Sequence, residues 1–530
     1  MATQASAITF LSTPGQAFAD GTRFVQFYFG LPLAMVVVSV VAVPVYHRLK
    51  VFTAYEYLES RFDLKTRTLA SFLFLIQRGV STGISIYATS IVLSVLLGWN
   101  IALTNLVIGG IVIVYTTSGG ARAVNWTQSW QFLVAIGGIA TAFLVTVRSL
   151  PEGVGFVDAL HVAGRLGRLN TVDWRFDLST RYNVWSGLVG GFFLALSYFG
   201  TDQSQVGRYL GGRSVAESRL GLLFNGFLKV PMQAFILLVG VMVFVFYQFA
   251  APPVFFNPVP LERLRKGPHA AELAAVEQRH QAAFEARKTA ALSYVEARKS
   301  GREDRIGAAG RALEAANDRV GAVRAETLDF VRRRDSSADA NDTNYVFLSF
   351  VLAYLPAGLV GLVVAVVFAA AMSSNAAALQ SLAGTTLVDV YGRLVRKNRP
   401  DDHYLRVGRL ATVFWGLVAM AVAMFANRLG TLIEAVNILG SLVYGTILGI
   451  FVVAFGLPKV RGTPVFFAAL VSEAFVLVCW ATTKLEFLWF NVVGCVAVVA
   501  LSLAFQALTR KAAAQPPAIS SSPPSTSRGR

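Results

Sequence analysis

The sequence predicts an all-α polytopic membrane protein with about twelve membrane helices. Three observations carry that expectation. Of the 530 residues, 55% are hydrophobic and only 15% are charged, whereas an ordinary soluble domain is about 25% charged. The apolar residues form continuous runs near the roughly 20 residues that cross a bilayer, not the alternating pattern of a membrane β-strand. Most of the 47 Lys and Arg fall between those runs or in one insert, as loop charges do in a multi-pass chain. These features exclude a disordered chain, a collagen-like fibre and a soluble multidomain enzyme. The net charge of +17 is spread over loops rather than gathered on one face, so the expected partner is a lipid bilayer and not nucleic acid.

The candidate spans lie near 1–18, 22–47, 67–98, 100–117, 124–147, 183–206, 220–248, 353–391, 406–426, 430–456, 463–482 and 487–509. The first is too short to cross alone. One alternating set of short loops holds Arg48, Lys50, Arg61, Lys65, Arg67, Arg122, Arg208, Arg213, Arg219, Arg393, Arg396, Lys459 and Arg461. The opposite short loops hold only Arg428 and Lys484. The basic set is therefore assigned to the cytoplasm, although the outer loop 148–182 carries five Arg.

Residues 262–335 are of different material. They contain 16 Lys/Arg and 12 Asp/Glu and are rich in Ala, a helix-favouring composition. SGRED at 300–304 divides the stretch into two arms. In the second, Ile306, Leu313 and Val320 recur every seven residues beside Ala309, Ala316, Val323 and Phe330, which is an a/d seam. An antiparallel helical hairpin on the outer side is expected, a candidate surface for an outer-side protein partner or a tolerated insertion. The Pro/Ser-rich tail 512–530 is expected to be disordered.

Enzyme motifs are missing: no GxSxG, HExxH or phosphate loop occurs. Cys479 and Cys495 lie within apolar runs, without a metal-binding spacing. TTSGGARA at 116–123 reads as a tight turn between two spans. The informative helix is 353–391, with Ser373 and Ser374 mid-span among small residues. Helical geometry brings the Ala370 carbonyl close to both hydroxyls. Three neutral oxygens at membrane depth suit Na+ if another helix adds more; small residues packing against a neighbouring helix explain the same pattern.

Five segments then resemble, in order, the sodium:solute symporter family: ITFLSTPGQAFADG (8–21), FTAYEYLESRF (52–62), YTTSGGARAVNWTQSWQ (115–131), SYFGTDQSQVGRYL (197–210) and FAAAMSSNAAALQS (368–381). The resemblance covers nearly all of the chain except the insert and tail, and is closest to the monocarboxylate and multivitamin branch. It implies a LeuT-like inverted repeat of five plus five helices with sites near the midplane. Repeat one would be 1–147, an outer loop 148–182, repeat two 183–457, and two peripheral helices 458–511. It further implies a symporter in the plasma (inner) membrane, coupling Na+ to a small organic solute. The Na+ ligands implied are the carbonyls of Ala2, Ala5 and Ala370 and the hydroxyls of Ser373 and Ser374, and Tyr198 matches a lid over the substrate. The motif at 8–21 resembles the second half of a helix, so a preceding segment is expected upstream of Met1.

Three departures refine this. Gln128 stands where the family commonly has Asp, which puts a second Na+ in doubt. Tyr28 stands where sugar transporters carry Glu, which disfavours sugar. Arg78 lies within a span, where a charge faces a cavity or partner or snorkels to the interface. The leading substrate is a monocarboxylate-like anion, with sugars, amino acids and vitamins open. Glu473 lies in a peripheral helix and Glu434 near an outer end, so no midplane carboxylate favours proton coupling. A transporter-like sensor is the remaining rival, and no output domain accompanies it.

Overall fold

A computed structural model describes residues 6–212, 214–335, 338–339, 341–396 and 399–514, with backbone alone at Ala7, 119–129, Gln131 and 510–514. The described residues form helices and no strand. In order these are α1 (Ala7–Asp20), α2 (Leu31–Val40), α3 (Ala42–Leu49), α4 (Ala54–Arg61), α5 (Leu64–Leu97), α6 (Ile101–Arg148) and α7 (Phe156–Arg165). Next come α8 (Gly191–Gly200), α9 (Gln203–Leu210), α10 (Val215–Phe249), α11 (Pro258–Arg265), α12 (Ala270–Ser300) and α13 (Glu303–Arg334). The remainder are α14 (Val346–Tyr354), α15 (Ala357–Thr385), α16 (Asp401–Ala423), α17 (Leu432–Gly456), α18 (Gly462–Thr482) and α19 (Leu488–Ala514). Nine helical stretches among the described residues are long and apolar enough to cross a membrane.

The differences from the expected spans have local causes. The span at 22–47 is a 3-10 turn (Gly21–Tyr28) followed by α2 and α3. Pro44 lacks the N–H that would reach the Val40 carbonyl, and the helix breaks at Val41. The span at 353–391 begins later, because Pro356 holds Leu355 extended and separates α14 from α15. Its far end continues as a π-helix, Thr386–Val395. The turn expected at 116–123 is not formed. Residues 101–148 are one 48-residue helix, about 72 Å long, with apolar halves Ile101–Ser118 and Phe132–Arg148. The stretch has no Pro, and paired Gly weakens a helix without removing a hydrogen bond.

α1 is the central helix, packing on α5, α10, α14, α15 and α17. Its closest approach is to α10, where a side chain at Gly240 would collide with the Pro14 backbone. Large apolar residues face outward around the bundle: Phe227 is 78% exposed and Leu410 69%. In water such a surface would be costly; in lipid it is the solvent contact. α12 and α13 form a hairpin turned at Gly301, which has φ +68. Leu313, Ala316 and Val320 are buried between its arms and the core, while Val323 and Phe330 pack on a second small cluster with Leu273 and Val276.

Candidate functional site

The sixth-span motif supplies the site's first element. α8 stops at Gly200, and Asp202 caps α9 by accepting from the Ser204 N–H at 2.8 Å. The break frees carbonyls that membrane cannot hydrate. Tyr209 donates to the Phe199 carbonyl at 3.0 Å and Tyr46 to that of Gly200 at 2.8 Å. Asp202 is buried at this break. Its carboxylate accepts from Arg78, from the Tyr444 hydroxyl at 2.9 Å and from the Ser204 hydroxyl at 2.6 Å. Arg78 thus neither snorkels nor stands alone. Sequence reading missed the pairing because 124 residues separate its partners.

Arg78 also lies 5.5 Å over the Tyr198 ring, and Gln205 donates to the Tyr198 hydroxyl at 2.9 Å. Arg78, Tyr198 and Tyr28 all line one cavity of about 210 Å³. Ser374, beside Asn375, lines it from α15, and Ser6 and Thr9 line it from the start of α1. Ala370 and Ser373 are buried one turn away, with the Ser373 hydroxyl donating to the Ala370 carbonyl at 3.0 Å. Ala2, Ala5 and the Gln128 side chain lie outside the described residues.

Three further groups in the wall were not singled out from sequence. Lys229 of α10 is buried, with Nζ 5.6 Å from the Tyr28 ring centre. Arg208, which sequence reading assigned to a loop, donates to the Ser204 carbonyl at 3.0 Å and lines the cavity. Asn375 is 1% exposed, and neither its side-chain oxygen nor its nitrogen has a partner, so its amide is available to a ligand. Lys229 had a sequence signal, a cation inside the apolar run 220–248. Asn375 had none beyond its place after Ser373 and Ser374.

The cavity's wall among the described residues holds Arg78, Arg208 and Lys229 and no Asp or Glu. On the face assigned as cytoplasmic, a second cavity of about 320 Å³ shares Phe199, Gln205 and Arg208 with it. On the opposite face α1 is tied shut against α17. Glu434 accepts from Gln16 at 3.2 Å, Tyr182 at 2.7 Å and Arg181 at 2.9 Å, and the Ile433 N–H reaches the Ser12 hydroxyl at 3.2 Å. A cavity at a broken helix, tied off by hydrogen bonds on one face and sharing wall residues with a second cavity on the other, is a geometry suited to transport.

The family profile of the sodium:solute symporters matches residues 1–259 and 323–471. The chain belongs to that family. It is a multi-pass integral membrane protein. The chain is similar to the sodium/iodide cotransporter of Homo sapiens, 34% identical over 245 residues, which are 46% of this chain and 37% of that protein. It is also similar to the Homo sapiens sodium-coupled monocarboxylate transporter 1, 33% identical over 220 residues, 42% of this chain and 36% of that protein. The matched region thus spans little more than a third of either relative. A solved structure described as the substrate-bound outward-open state of a Na+-coupled sialic acid symporter superposes with a TM-score of 0.70. It is 22% identical and covers 96% of this chain and 88% of that one; the likeness fixes the LeuT-like fold.

Proposed function

We propose that this symporter couples Na+ to the uptake of a small organic anion across the plasma (inner) membrane, with monocarboxylates the leading class. The observation that carries this is the wall of the central cavity, three cationic side chains and no carboxylate. Asp202 pairs with Arg78, and Lys229 and Arg208 add two further positive charges to the wall. A cavity lined by one sign of charge favours a solute of the opposite sign. Tyr28 and Tyr198 would enclose its apolar part. Gln128 in place of the family's usual Asp favours a single Na+.

Na+ would sit between the start of α1 and α15, with the Ala370 carbonyl and the hydroxyls of Ser373 and Ser374 among its ligands. Carbonyls of Ala2 and Ala5 would complete the set. Na+ binding would hold α1 against α15 and order the neighbouring substrate cavity. The Gln16–Glu434–Arg181 ties would close the outer side while Phe199, Gln205 and Arg208 yield to the inner vestibule.

The charge count has a consequence. One Na+ moving through 100 mV supplies about 2.3 kcal/mol, which a co-transported monoanion cancels. Coupling of one Na+ to one monoanion would be electroneutral and driven by the Na+ concentration ratio alone. Uptake of radiolabelled short monocarboxylates into vesicles containing the purified protein tests the proposal. The expected result is accumulation under an inward Na+ gradient, none under an inward H+ gradient, and competition by other small anions but not by neutral sugars. Accumulation driven by H+ alone, sugar competition, or binding without uptake overturns it.

A further inference from the structure

The hairpin does not stand free of the bundle. Arg287 of α12 donates to the Tyr247 carbonyl of α10 at 2.6 Å, Arg165 of α7 meets Glu314 of α13 at 3.1 Å, and Lys299 reaches the Gly153 carbonyl. Where α12 and α13 meet the outer ends of α1 and α10, a cavity of about 120 Å³ remains. At roughly 30 Å³ per water, it has room for a four-oxygen ion. The groups that matter in its wall are Arg168 and Gln248 from the core and His280, Arg287, Asn317 and Arg324 from the hairpin.

These walls are cationic and incompletely bonded. Among the described residues three guanidiniums face the cavity and no carboxylate does. Arg324 is neutralised by Asp342 at 2.6 Å. Arg168 donates to the Ala19 carbonyl, lies 4.5 Å over the Phe244 ring and has Asp20 as its nearest countercharge. Arg287 is 5% exposed, and no carboxylate among the described residues pairs with it. Its Nε, the Nε of Arg168 and the Nε2 of the equally buried His280 have no hydrogen-bond partner. Burial and the neighbouring Arg324 push Arg287 down to about 10, and burial with Arg287 and Arg324 pushes His280 down to about 4. Burial and like charges both disfavour the protonated forms here, and an anion among them would favour those forms again. Gln248 Oε1 also has no donor, which a hydroxyl on the same ligand would supply.

We propose that this cavity binds a small oxyanion carrying a hydroxyl, with inorganic phosphate as the simplest fitting probe, held by Arg287, Arg168 and Arg324 and donating to Gln248. The site is separate from the central cavity and is an addition of this chain, since His280, Arg287 and Asn317 fall between the two family-matched stretches. Bound there, the ion clamps the hairpin onto the ends of α1 and α10, the two helices joined at Pro14 and Gly240.

The test is a phosphate titration of the purified full-length protein, with choline as the only added cation, at constant ionic strength, read by unfolding temperature and calorimetry. Saturable binding is expected. Arg287→Gln should weaken it at least tenfold, and Asn317→Leu, which fills the cavity without removing a charge, should do the same. The charge-matched Arg305→Gln on the exposed face should leave it unchanged. Lack of saturable binding overturns the proposal, as does binding that persists in both cavity variants, which would place the ion in the central site. Equal loss in Arg305→Gln would mean general screening and also overturns it. Asn317→Leu keeps the question answerable if Arg287→Gln fails to fold.

Discussion

Arg67 and Arg78 lie on the same helix, α5, three turns apart, and each pairs with a buried aspartate. Arg67 is fully enclosed. Asp389 stands at 2.6 Å, Glu59 at 2.5 Å and Glu56 at 3.6 Å, with the Val388 carbonyl at 3.3 Å. Thr53 also donates to Asp389 Oδ1 at 2.8 Å. Three carboxylates on one guanidinium bind α4, α5 and the π-helical end of α15 together. Arg78 has one carboxylate, Asp202, an Nε without a partner, and the central cavity beside it. Pairing with a buried aspartate is common to both. What differs is whether any bonding capacity is left facing open space: Arg67 is a clasp, and Arg78 is a clasp with one side open to a solute.

The largest expected effect tests the closed clasp. Arg67→Met leaves three carboxylates without their shared cation, and breaking a buried pair costs about 3–5 kcal/mol. Thermal unfolding and the yield of folded protein should fall sharply, while the folded remainder transports at near the parent rate. A loss of uptake per folded molecule matching that of an Arg78 variant would erase the distinction. Arg78→Gln should do the reverse. Tyr444 and Ser204 still hold Asp202, so folded yield drops less, but uptake falls more than about tenfold, with Arg78→Lys recovering part. Equal uptake in Arg78→Gln would mean that its open side is not used.

Lys229→Met sharpens the role of charge in the cavity. A hydrogen bond to a charged group is worth about 1.5–3 kcal/mol, so half-saturation for an anionic solute should rise about tenfold or more. Competition by neutral analogues should be unaffected; a parallel loss of both would make Lys229 a packing residue. The smallest effect is expected at the ion site. Ser373→Ala and Ser374→Ala each remove one neutral oxygen, worth about 1 kcal/mol. The Na+ concentration for half-maximal uptake should rise about fivefold without change in abundance. Unchanged Na+ dependence in both would place the ion elsewhere.

Much of this was legible in the chain. The fold class followed from continuous apolar runs, and the hairpin from a heptad seam broken at SGRED, because both signals repeat locally. Ser374, Tyr28, Tyr198 and Arg78 were marked by sequence, and the structure gathers them around one cavity. The breaks at Val41 and Leu355 were also legible in Pro44 and Pro356, although the expected spans ran through them. The paired Gly at 119–120 misled in the other direction: small residues permit a turn but do not compel one.

By itself, then, the sequence determined the membrane environment, the order of the spans, the serine pair Ser373 and Ser374 on α15 and the insert, since each depends on residues within a few turns of one another. Only the tertiary structure decided which charges are spent and which are open. Asp202 meets Arg78 across 124 residues, Asp389 meets Arg67 across 322, and Arg287 faces Arg168 and Arg324 around a cavity built from two parts of the chain. An ionisable group's role depends on what lies within about 4 Å of it and on the water excluded there. In a bundle of helices those neighbours come from distant spans, and no local pattern names them.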